Sequence, residues 1–129
     1  MSELIGARSV FAVQNLESAT SFYIDALGFH RDFGDGSDGW SFLSRDNVRV
    51  MLGECPDELP AFDIGNHSYV LHILTDDVDT LHAEFDRNAV DIMSPPEDKP
   101  WGIREFSIRT PEGHRMVFGQ VRSPSSADA

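Results

Sequence analysis

The sequence predicts an α+β chain built from two tandem βαβββ units, and three observations carry that prediction. A short apolar run followed by a capped amphipathic helix occurs twice, at residues 7–27 and 69–85. Each helix is followed by three short strand candidates separated by turn clusters. The two halves overlay on one another, with an offset of 62 through the strand and helix and of 66 at the last strand. A fixed internal offset is the mark of a repeated supersecondary unit.

In the first half, Ala7 to Val13 reads as a strand, and Asn15 stands at a helix N-cap position. Leu16, Ala19, Tyr23 and Ala26 then recur on one helical face, and Gly28 follows as a C-terminal stop, so the helix is placed at Leu16 to Leu27. Phe29 to Phe33, Trp40 to Ser44 and Val48 to Gly53 are the strands, divided by the turns GDGSDG and RDN. In the second half YVLHILT is the strand, Asp76 or Asp77 the cap, and Val78, Leu81 and Phe85 the inner helix face. Val90 to Met93, Arg104 to Arg109 and His114 to Gln120 complete the unit, with the turn TPEG before the last strand. The offsets lay Leu16 on Val78, Tyr23 on Phe85, and VRVML on HRMVF.

The expected organisation is one domain over 1–129, with units at 5–55 and 66–121. PDELPAFDIGN serves as linker and 122–129 as a disordered tail. One unit of this length leaves an apolar sheet face uncovered, so pairing of units within the chain or across a dimer is expected.

Composition narrows the function. Ten basic and twenty-two acidic residues give a net charge of −12, which repels phosphate backbones and anionic lipid, so neither nucleic acid nor membrane is an expected partner. No apolar run is long enough to span a bilayer, and MSELIGARSV has neither a basic nor a long apolar region of the kind a secretory signal needs. The expectation is a soluble, cytoplasmic protein. A lone cysteine, Cys55, excludes an intramolecular disulfide and reads as an inert thiol. The sequence contains no G-x-S-x-G elbow, phosphate-cradling glycine loop or H-E-x-x-H. GDGSDG lacks the terminal Glu of a calcium loop and reads as a hairpin turn.

Two stretches, VFAVQNLESATSFYIDALGF at 10–29 and PWGIREFSIRTPEGHRMVFGQ at 100–120, resemble the vicinal-oxygen-chelate superfamily, which includes glyoxalase, bleomycin-resistance proteins and extradiol dioxygenases. The second is most similar to the bleomycin-resistance branch, with Thr110 where that branch has aspartate in its D-P-x-G turn. The resemblance covers residues 5–121. It implies curved mixed sheets, each half of a cup, a homodimer, and a small-molecule ligand in a crevice.

The superfamily's enzymes hold a divalent metal on the first and last strands of each unit. The matching positions here are Arg8, Met51, Val70 and Val117. Arginine is a fixed cation and valine has no donor atom, so no metal and no other cofactor is expected, and a one-residue slip in register supplies no better set. His72 shares a face with Val70 and is the strongest dissenting residue. His67 lies near a strand start, His82 is placed on the exposed side of the second helix, and His30 and His114 flank turns as solvated surface.

The expected activity is therefore binding without catalysis. An organic molecule, cationic and antibiotic-like in the manner of the bleomycin-resistance proteins, is held in a metal-free cup and sequestered. Phe33, Trp40, Phe42 and Trp101 are the expected aromatic contacts, with Met51 and His72 lining the site. Trp40 and Phe42 alternate on one strand face and serve equally well as core. Glu105 either accepts from a ligand amine or pairs with Arg104 or Arg8, the latter being favoured, and Arg8 suits a carboxylate. The alternatives are a metal-dependent lyase, isomerase or dioxygenase using His72, His67 and Glu105, and an interaction module with no ligand.

Overall fold

The structure, a computed structural model, describes residues 2–63 and 69–122. Its elements run β1 (Ser9–Val13), α1 (Leu16–Asp25), β2 (His30–Phe33), β3 (Trp40–Arg45) and β4 (Val48–Glu54). After a short 3-10 turn at Ala61–Asp63 come β5 (Tyr69–Leu74), α2 (Val78–Arg87), β6 (Asp91–Asp98), β7 (Ile103–Arg109) and β8 (Arg115–Val121). The backbone forms two compact units, 1–59 and 60–129.

Each unit is a four-stranded mixed sheet of the same topology, ordered β1-β4-β3-β2 in one and β5-β8-β7-β6 in the other. The first strand of each unit pairs parallel with the last, and the remaining pairs are antiparallel. The ladders keep the offsets read in the sequence, since Phe11 faces Leu52 in one and Ile73 faces Phe118 in the other.

Alternation along the strands decides which face meets the helix. In the first unit Phe11, Val13, Leu43, Val50 and Leu52 are buried beneath Leu16, Ala19 and Tyr23 of α1, with a buried Thr20–Ser41 hydroxyl bond of 2.7 Å joining helix to sheet. In the second unit the corresponding layer is aromatic. Phe106 and Phe118 stack at 5.4 Å, and Phe85 of α2 meets both edge-on. Burial of this apolar area at about 25 cal/mol per Å² is the main term holding each helix to its sheet.

Both helices start by the same device. Asn15 accepts from the Ser18 amide and Asp77 from the Thr80 amide, which selects Asp77 of the two expected caps. The next amide, of Leu16 or Val78, donates to the last strand's side chain, Glu54 or Gln120, each at 3.0 Å. The helix ends differ. Gly28 takes φ +79° and the Phe29 amide returns to the Tyr23 carbonyl, stopping α1 at Asp25, short of the expected Leu27. After α2 a left-handed residue is again used, but it is Ala89 at φ +60°.

Several strands differ from expectation. β1 begins at Ser9, not Ala7, and β6 runs to Asp98, well past Met93. The extension follows from two register shifts in the β6–β7 ladder, which let the strand pass Pro95 and Pro96 without requiring their missing amide donors. His82 is not on the exposed side of α2, because its ring packs edge-on against Phe106 at 5.3 Å. His114 is buried, where solvated surface was expected. The TPEG turn folds tightly around it, with the Thr110 hydroxyl accepting from the His114 amide and the Gly113 amide donating to the Thr110 carbonyl. Thr110 thus fills the turn-closing role with a hydroxyl.

Candidate ligand face and its arginine centre

The sheet faces turned away from the helices carry the candidate site residues. In the first unit this face presents Arg8 and Val10 from the β1 end, Met51 and Gly53 from β4, and Trp40, Phe42 and Ser44 from β3. Alternation excludes two consecutive β2 residues from one face, yet Asp32 and Phe33 both reach it. A register shift between Arg31 and Phe33 makes Asp32 the extra residue of a bulge.

Phe33 and Phe42 stack at 4.4 Å with their planes 20° apart, and more than half of Phe33 remains exposed. The Arg8 guanidinium lies over both rings, 5.9 and 5.7 Å from their centroids. It donates to the Val50 carbonyl at 3.1 Å, the Leu43 carbonyl at 3.2 Å and the Asp32 carboxylate at 3.3 Å. Asp32 also accepts from the Ser44 hydroxyl at 2.6 Å and approaches His30 Nε2 at 3.3 Å. The Ser44 bond first, then Arg8 and His30, hold the Asp32 carboxyl below its ordinary range. Ser44, His30 and Asp32 do not form a nucleophilic relay, because serine and aspartate both address the same imidazole nitrogen.

Gly53 has a packing reason. A Cβ there would lie 2.7 Å from the Trp40 ring, which rests directly on the β4 backbone. In the second unit Gly119 occupies the same ladder position and is covered by Ile103, His72 and Glu105.

The second unit's face has the same backbone and a different chemistry. Ladder positions match Phe33 with Ser94, Phe42 with Ser107, Trp40 with Glu105 and Val10 with His72. Ser94 and Ser107 share a 2.7 Å hydroxyl bond, and His72 Nε2 lies 3.2 Å from the Glu105 carboxylate. Glu105 therefore pairs with His72, correcting the expected pairing with Arg104 or Arg8. Arg104 turns to the helix side, where it meets Asp79 of α2, and also contacts Asp98. Trp101 sits at the tip of the β6–β7 hairpin, exposed, in a turn closed by the Gly102 amide on the Lys99 carbonyl.

A family model described as Glyoxalase/Bleomycin resistance protein/Dioxygenase superfamily matches residues 7–118. The chain belongs to that superfamily. Among solved structures it is similar to the bleomycin-binding protein of bleomycin-producing Streptomyces verticillus complexed with copper(II)-bleomycin. The identity is 28% and the TM-score 0.72, covering 92% of this chain and 97% of that one. TioX from Micromonospora sp. ML1 is 24% identical with a TM-score of 0.69, over 90% and 99% of the two chains. A superfamily member from Alicyclobacillus acidocaldarius reaches a TM-score of 0.76 over 91% of each chain at 12% identity, a likeness of fold. No curated protein matches the sequence.

The superfamily's usual metal positions do not fit a metal here. Arg8 is engaged by Asp32 and two carbonyls, Met51 offers only a soft thioether, and Val117 has no donor. Val70 lies at a register shift in the β5–β8 ladder. His72 and Glu105 are two donors without a third, and no cluster of three histidine, cysteine or acidic groups able to hold a metal occurs among the described residues. His67 lies outside the described residues. Asp32 and Ser44 were not legible from residue patterning, since the bulge that brings Asp32 to Arg8 has no signature in a four-residue strand.

Proposed function

We propose that the protein binds a planar organic ligand on the open face of its first sheet and acts by sequestration, without a chemical step. The observation that carries this reading is the Phe33–Phe42 stack. It offers an exposed aromatic surface, backed by Arg8 and flanked by Trp40, on a face that α1 does not cover. A stacked ring on such a surface contributes on the order of 1 kcal/mol per contact. The bleomycin-binding protein of Streptomyces verticillus is solved with copper(II)-bleomycin, so bleomycin is the first ligand to test. The net charge of −12 favours approach of cationic molecules.

The test is a titration followed by Trp40 emission in a Trp101→Phe background, using metal-free bleomycin and a panel of planar heterocycles. Saturable quenching is expected for at least one of them. Phe33→Ala should weaken binding roughly tenfold, by the value of one lost stacking contact. Binding that is indifferent to Phe33 would move the ligand off this face.

A further inference from the structure

We propose that the first unit carries an oxyanion subsite formed by Arg49 and Arg8, which selects ligands bearing a carboxylate or phosphoryl group. The proposal rests on the reading that the open face of the first sheet receives a ligand, and it names the charge that ligand must present there.

An open groove of about 360 Å³ is lined by Ile5, Gly6, Ala7, Arg8 and Arg49, a volume in the range of small-ligand clefts. Two of its five lining residues are arginines, in a chain with only ten basic side chains against twenty-two acidic ones. Their situations differ. Arg8 is half-buried and balanced by Asp32. Arg49 is exposed, alternates with Val50 so that it lies on the open face, and has no ion-pair partner among the described residues. The groove therefore holds one uncompensated guanidinium beside a compensated one, a local reversal of the molecule's overall charge.

Arg49 also reaches the Gly6 backbone. A Cβ on Gly6 would lie 2.5 Å from one of its terminal nitrogens, so the guanidinium crosses directly over the Gly6 backbone. A planar fork positioned in this way matches a carboxylate or phosphoryl group through two parallel N–H bonds, which an ammonium cannot reproduce. Arg8 adjoins the Phe33–Phe42 stack, so a ligand with its ring on Phe33 and an anionic arm directed to Arg49 spans the two features. The acidic surface excludes polyanions, which confines the subsite to small molecules with a single anionic group.

The experiment uses the full chain and follows the backbone amide resonances of Ala7, Arg8 and Arg49 during titration with benzoate, benzamide and benzylamine at constant ionic strength. These probes share a ring and differ in charge. Benzoate is expected to shift all three amides and to bind about tenfold more tightly than benzamide, the value of one charge-assisted pair. Arg49→Gln should remove that preference, and Arg49→Lys should restore only part of it. Gly6→Ala, which displaces the guanidinium while leaving its charge, should weaken benzoate but not benzamide. Equal binding of the three probes, or benzoate binding unchanged in Arg49→Gln, would overturn the subsite while leaving the ligand face standing. Shifts confined to benzylamine would overturn it in favour of a cation site. Absence of any shift up to high millimolar concentrations would overturn the subsite and count against the ligand face as well.

Discussion

Arg8 stands at a position where superfamily enzymes place a metal ligand, and the structure shows what a permanent cation does there. It bonds two strand carbonyls, lies over two phenyl rings and takes Asp32 as its counter-charge. Its role is that of a fixed internal cation organising an aromatic face. A pH dependence follows. The Asp32 carboxyl is held below its usual 3.8 by Ser44, Arg8 and His30, so its folded-state pKa is depressed relative to the unfolded chain. A depressed carboxyl contributes stability that is fully present above the unfolded value of about 4 and is lost as the pH falls through the folded value. Urea midpoints measured at pH 7, 4 and 3 should therefore fall more steeply for the wild type than for Asp32→Asn, with the variant less stable at pH 7. Parallel curves would show that Asp32 is not coupled to Arg8 in solution. Individual residues were unevenly legible in the sequence. Arg8 was visible as a fixed cation from its chemistry alone, whereas Asp32 requires a bulge, and the partner of Glu105 depended on which side chain shared its sheet face, His72 rather than Arg104 or Arg8.

At the scale of elements, the repeat was legible because it is written in periodicity. Spacings of 3.6 and 2 mark helix and strand, and the common offset carries caps, inner-face residues and ladder pairs together. What periodicity does not encode is the side chain that closes a helix from another strand. Glu54 and Gln120 bond the first free amides of α1 and α2 from ladder positions that coincide in the two units. The helix ends show a second asymmetry. Gly28 enters the left-handed region without steric cost, whereas Ala89 at φ +60° carries a Cβ into it. Replacement of a helix-end alanine by glycine normally destabilises through unfolded-state entropy, but here relief of the Cβ clash outweighs that loss. Ala89→Gly is expected to raise stability by about 0.5–1 kcal/mol, read as a higher urea midpoint with an unchanged slope. A lower midpoint would mean that the backbone leaves the left-handed region in solution.

For the whole molecule, the question is what one backbone repeated twice has been given to do. The two sheets share topology and register, yet one open face carries Phe33, Phe42, Trp40 and Arg8 and the other Ser94, Ser107, Glu105 and His72. Such divergence on a common scaffold is why fold alone does not assign activity. It also sets the expectation for metals. A net charge of −12 attracts divalent cations weakly over the whole surface, but retention requires at least three donors converging with suitable geometry. The first unit offers a guanidinium and a thioether at the relevant positions, and a guanidinium repels a dication at contact distance. The second offers only the His72–Glu105 pair. After incubation with zinc, nickel, iron or manganese salts and dialysis against buffer of moderate ionic strength, elemental analysis should therefore find well below one ion per chain. The little that remains should be removed by salt, because surface attraction is screened within about 10 Å at 0.1 M. Retention of about one ion per chain, resistant to salt and abolished by His72→Ala, would mean that a third donor joins His72 and Glu105. Binding without chemistry would then give way to a metal-dependent reaction on the second unit. Retention unaffected by His72→Ala would place the metal away from the His72–Glu105 pair.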